Sequence, residues 1–238
     1  KNYDDVDVMI LKELETMLKD NRSEYEEFFK TFGVQLKYGV YNNFGADKDK
    51  LKDLVMFYSA NKEKLITLKE YVTNMKEGQD KIYYASGSSI EKVSSMPQVE
   101  AVKDKGFDIL YLTDYVDEFT VTAIQEYEEK KFLNVENGDL DLDSEEEKEA
   151  TKKVNKENKD LLKEMAEMLD EVEEVKFSNK LGKHPVCLTS KGDVSIEMQK
   201  VFDAMPNQTG IKATLVLEIN EKHPIVEKLK ALYDDDKD

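Results

Sequence analysis

The chain has 238 residues, 39% of them hydrophobic and 37% charged, and its 52 acids against 35 bases leave a formal net charge of −17. Such a field repels nucleic acid and anionic membrane, so neither is expected as a partner, and with Arg22 as the single arginine there are few guanidinium forks for gripping phosphates. The lone Cys187 permits no internal disulfide, which suits a reducing, cytoplasmic setting, and no apolar run approaches membrane-spanning length.

Residues 5–20 place Ile10, Leu11, Leu14, Met17 and Leu18 at helical spacing. Ser23 and Glu26 have the spacing of a capping box, in which a hydroxyl and a carboxylate satisfy free amides at a helix start. Tyr25, Phe28, Phe29 and Phe32 then form an aromatic stripe. The Gly- and Asn-rich stretch 38–46 predicts a loop. Asp47 follows as a helix cap, with Leu51, Leu54, Val55 and Tyr58 on one face. Residues 1–66 thus read as helical throughout.

From Thr67 the period changes. Thr67 and Glu70 make a second capping-box pair, Tyr71, Val72 and Met75 give an apolar stripe, and Gly78 suits a left-handed helix stop. Lys81–Ala85 is β-prone. Ser88 and Glu91 frame a short helix, and Pro97 and Gly106 bracket another. The apolar run 107–112 predicts a strand covered on both faces. Asp114 is the expected cap of a helix holding Val116, Phe119, Ala123 and Tyr127, and residues 131–135 form a further strand. Alternating strand and helix through 67–135 predicts an α/β sandwich with some parallel pairing.

Residues 136–149 hold eight acids and one base, a solvated linker without the ligand ladder of a calcium loop. Ser144 and Glu147 cap a long helix to about residue 170. Residues 174–178 and 185–189 read as a pair of strands, Asp193 caps a helix through Met205, Ala213–Ile219 is an alternating strand, and His223-Pro224 opens a terminal helix. In the helix 194–205, Val194, Met198, Val201, Phe202 and Met205 share a stripe with Ile196 off it. That stripe is either core or an adaptable exposed face, since methionine suits surfaces that accept many partners.

Catalytic chemistry is sparse. Two histidines and one cysteine are too few for a metal site of nitrogen and sulfur ligands. His184 and Cys187, three apart in a strand, point to opposite faces. No G-x-x-x-x-G-K phosphate cradle occurs. Lys1 opens the chain within an amphipathic pattern, and the end at Tyr233-Asp-Asp-Asp-Lys-Asp is equally abrupt, so a fragment of a longer protein is expected.

Certain wording is distinctive. Met75-Lys76-Glu77-Gly78-Gln79 followed by Lys81-Ile82-Tyr83-Tyr84, the Phe32-Gly33 pair ending 28–33, LYLTDYVDEF at 110–119 and the amphipathic stretch 193–202 resemble, in order, segments of the heat-shock protein 90 chaperones of bacterial type. The resemblance implies a helical connector of the middle domain at 1–66, a small α/β subdomain at 67–136 and a C-terminal domain at 137–238 that stops before the dimerising helices. The fold class implied is mixed α/β.

The resemblance also implies a client-binding surface: Phe119, where relatives often carry tryptophan, and Thr122 on one side, and Val194, Met198, Val201 and Phe202 on the other, facing a groove between the two units. ATP and magnesium would belong to the parent protein, with no cofactor, metal or catalytic residue in this piece. Its partners would be unfolded or partly folded client proteins. The parent would be a homodimer and the piece a monomer. A stand-alone acidic interaction module, or an enzyme using a carboxylate pair, remains the alternative.

Overall fold

Helices open the chain in this computed structural model, which describes residues 3–137, 140–207 and 209–235. Helix α1 (Tyr3–Asp20) is followed by α2 (Arg22–Gly45), a short α3 (Lys48–Leu51), and strands β1 (Met56–Ser59) and β2 (Lys64–Thr67). The expected all-helical stretch to residue 66 therefore ends early, because Met56, Phe57 and Ile66 are buried in a β-hairpin. The expected loop at 38–46 is instead mostly helix, with non-helical backbone only at Asn42, Asn43 and Phe44. The helix starts at Arg22, so Ser23 lies inside it and Glu26 pairs with the Arg22 guanidinium at 2.9 Å rather than closing a capping box.

The Thr67–Glu70 capping box does form, at the start of α4 (Leu68–Thr73). Gly78 has φ +85°, as a left-handed stop requires. Strand β3 (Lys81–Ser86) then leads through α5 (Ile90–Ser94) and α6 (Pro97–Asp104) to β4 (Leu110–Leu112), which is buried throughout. Strands β3 and β4 are parallel, and parallel neighbours need such a helical crossover. Helix α7 (Asp117–Ile124) and strands β5 (Glu126–Tyr127) and β6 (Lys130–Asn134) complete a six-stranded sheet of order β2-β1-β4-β3-β6-β5. Its core includes Leu54, Phe57, Tyr71, Ile82, Leu110 and Val121, with Tyr25 and Phe29 of α2.

Gly138 and Asp139 of the acidic stretch lie outside the described residues. The Ser144–Glu147 capping box opens α8 (Glu145–Glu157), but the expected single long helix is two, broken at Asn158 before α9 (Lys159–Met168). Asn158 has φ −109° and ψ 22°, and its side-chain amide donates to the Val154 carbonyl at 2.9 Å, closing one helix as it opens the next. Strands β7 (Val172–Ser178) and β8 (Val186–Lys191), read from sequence as a pair, are separated by β9 (Thr214–Asn220), giving the order β7-β9-β8. Strand β9 runs parallel to β7 and antiparallel to β8. Phe177, Leu217 and Ile219 on one face pack with Leu162 and Met165 of α9 and with Val226 and Leu229 of α11 (Ile225–Asp235). Between β8 and β9 lies α10 (Ile196–Ala204).

By contact the chain forms two units, one of residues 1–90 and 107–133 and one of residues 91–106 and 134–238. Both carry helices and a sheet, so the fold class is mixed α/β, as the alternation of periods predicts.

Candidate functional site

In the first unit, helix α7 is held against α2 by charge buried in an aromatic setting. Tyr25, Phe29, Gly33, Lys37 and Val40 recur at helical spacing and form the buried face of α2. The Lys37 side chain is only 3% exposed, and its Nζ lies 2.6 Å from Asp117 Oδ1 and 3.1 Å from Asp114 Oδ2. The same ammonium sits 4.8 Å from the centroid of Phe57 and 5.6 Å from that of Phe29, within cation–π reach. Asp114 does not cap α7 as expected. Its backbone N–H instead donates to Asp117 Oδ2 at 3.0 Å, so Asp117 organises the turn that precedes it. Burial pushes the Asp117 carboxyl above its ordinary range, and the Lys37 charge opposes that shift without cancelling it. Thr120 adds a hydroxyl bond to the Lys37 carbonyl at 3.1 Å.

This clamp leaves Phe119 half-buried and Thr122 exposed on α7. The Phe119 ring lies 5.4 Å from Tyr41, which in turn lies 6.5 Å from Tyr38. Tyr38 and Tyr41 fall in the stretch that its glycines and asparagines mark as a loop. The usable signal was their three-residue spacing, which puts two aromatic rings on one helix face.

In the second unit, α10 carries Met198, Val201 and Phe202, while Val194, expected inside the helix, lies just before its Ser195 cap. The expected cap Asp193 is displaced by Ser195, whose hydroxyl accepts from the Met198 N–H at 3.0 Å. Met198 is 8% exposed and therefore packs inward, while Val194, Val201 and Phe202 are half-buried. The stripe thus combines one anchored methionine with three partly accessible apolar side chains. Phe119 and Thr122 belong to the first unit, and Val194, Met198, Val201 and Phe202 to the second.

Nucleophilic chemistry finds no support at Cys187. Gln98 Nε2 donates to its Sγ at 3.2 Å, yet burial pushes the thiol up, with the Glu218 and Glu136 charges acting in the same direction. A reactive thiol needs the opposite shift. His184 Nε2 is 3.9 Å from Glu100 Oε2 and does not approach the thiol as a hydrogen-bonded base. Arg22 is committed to Glu26 and, through both terminal nitrogens, to Glu70. Among the described residues no group of three His, Cys, Asp or Glu is placed to hold a metal ion, and no helix is long and apolar enough to cross a membrane.

The fold defines a mixed α/β protein of two sheet-bearing units, each offering a helix with partly accessible apolar side chains. The family model described as Hsp90 protein matches residues 7–238, and the chain belongs to that family. It is 51% identical over 230 residues to the "Chaperone protein HtpG" of Clostridium perfringens, covering 96% of this chain and 36% of the relative. The proteins of the same name from Clostridium acetobutylicum and Bacillus subtilis are 50% and 46% identical over the same share of this chain. The chain spans a little over a third of the length of these curated relatives, 36–37%.

Proposed function

We propose that this chain is the part of an Hsp90-family chaperone that receives non-native polypeptide, through Phe119 and Thr122 on α7, Val194 just before α10, and Met198, Val201 and Phe202 on α10. The observation that carries this reading is the half-buried state of Phe119, Val201 and Phe202, on helices whose buried sides are already fixed by the Lys37 clamp and by Met198. Apolar side chains left at a surface that is otherwise heavily charged mark an interaction site. ATP and magnesium are assigned to parts of the parent outside these residues, the parent is taken to be a cytoplasmic homodimer, and this chain is taken to act as a monomer on clients.

Suppression of light scattering by an unfolding model protein tests the proposal. Phe202→Ser is expected to weaken suppression while lowering the melting temperature little. Met198→Ser is not a clean probe, since truncating a buried methionine costs on the order of 2–5 kcal/mol. Full suppression by both Phe119→Ser and Phe202→Ser would remove the proposed surface.

A further inference from the structure

We infer that the client surface of the first unit extends from α7 across the end of α2 as a charge-free aromatic face, built by Tyr38, Tyr41 and Phe44, that takes uncharged aromatic and aliphatic segments of non-native chains. This rests on the function proposed above and names the class of segment bound. Tyr38 and Tyr41 are 51% and 44% exposed, and Tyr41 is in ring contact with Phe119. Phe44 is fully exposed, and it follows Asn43 in left-handed backbone, with φ 50° and 55°. Two consecutive non-glycine residues in that region are strained, and such strain collects where a side chain must be presented. Gly45 then lies against α7, where a Cβ built on it would be 3.8 Å from Ala123 Cβ.

Charge decides the partner. Residues 33–46 contain one charged side chain, Lys37, and residues 115–125 contain two, Asp117 and Glu118. All three are buried, at 2%, 2% and 5% exposure. In a chain that is 37% charged, these two packed stretches present no formal charge to solvent. Aromatic enrichment with charge depletion is the composition of an interface centre. A segment bearing lysine or glutamate would lose hydration there with no exposed counter-charge inside either stretch, the nearest being Asp47 and Asp114 at their edges, so the face favours uncharged segments.

Fluorescence anisotropy tests this on the whole 238-residue chain, with a labelled peptide of Phe and Leu spaced by Ser and Asn. Two matched peptides carry Lys or Glu in place of Ser. High salt screens the net charge of −17. The neutral peptide should bind best, and Tyr41→Ser with Phe44→Gly should weaken it by about tenfold or more. The melting temperature should hold or rise, since glycine accepts the Phe44 backbone. Equal binding of a charged peptide overturns the inference. So does unchanged affinity in the Tyr41/Phe44 variant while Phe119→Ser and Phe202→Ser still weaken binding, and the proposed function then stands. No peptide binding, or sedimentation showing that a second copy covers the face, overturns it as well. Indifference to every one of these substitutions removes both readings together.

Discussion

Lys37 shows how one side chain can set the position of a neighbouring helix. Its ammonium is enclosed by Asp117, Asp114, Phe57 and Phe29, so removing it leaves the Asp117 carboxylate buried without its nearest cation. Lys37→Met should therefore cost about 3–5 kcal/mol at pH 7 by urea denaturation. Lys37→Met combined with Asp117→Asn should recover a large part of that loss, because the stranded charge is gone. The pH dependence has a defined sign. The native carboxyl of Asp117 holds its proton above the ordinary value of 3.8, so its contribution is fully present below 3.8 and is lost as pH rises through the native value. The deficit of Lys37→Met measured against the Asp117→Asn background should accordingly shrink as pH falls towards 3.8. A deficit independent of pH would mean that Asp117 does not carry the effect.

Within α2, a glycine decides how the helix packs. A glycine in a helix interior normally costs about 1 kcal/mol relative to alanine, so Gly33→Ala would ordinarily stabilise. Here an added Cβ would fall 2.6 Å from Phe29 Cε1, and Phe29 is 4% exposed with Lys37 over its ring. The ring cannot yield without disturbing the clamp, so overpacking of about 1–3 kcal/mol outweighs the propensity gain. Gly33→Ala should lower the denaturation midpoint. A rise would show that the ring moves freely. The two residues of the Phe-Gly pair thus serve different ends, Phe32 being 49% exposed while Gly33 makes room for Phe29.

At the scale of the molecule, the chain crosses between its two units three times, since residues 91–106 group with 134–238. Gln98, Val99 and Val102 of α6 are buried, and Gln98 and Glu100 approach Cys187 and His184. A piece comprising only residues 134–238 should consequently lack part of its own core. It should show a broad, weakly cooperative urea transition and fast amide exchange in β8. Residues 91–238 should keep the α6 contacts and unfold more sharply. Equal cooperativity of the two pieces would show that α6 adds nothing to the second unit.

The local amino-acid pattern determined the parts whose causes are local. The capping boxes at Thr67 and Ser144 and the left-handed glycine at 78 each depend on residues a few positions apart and formed as expected, while the strand expected over 107–112 formed, fully buried, only at 110–112. The mixed α/β class and the Hsp90 family were legible for the same reason, as period and wording survive without coordinates. Pairings across long separations were not legible. Strand β9 enters between β7 and β8, and Lys37 meets Asp117 across eighty positions of chain, because burial and charge are settled by which faces meet and not by which residues are neighbours. The candidate site divides along the same line. The stripe on α10 was visible as spacing, but only packing could separate the inward Met198 from the half-buried Phe202. Tyr41 could be joined to Phe119 only by the tertiary structure, for the glycines and asparagines around it favour a loop until the buried face of α2 holds that stretch in a helix against α7.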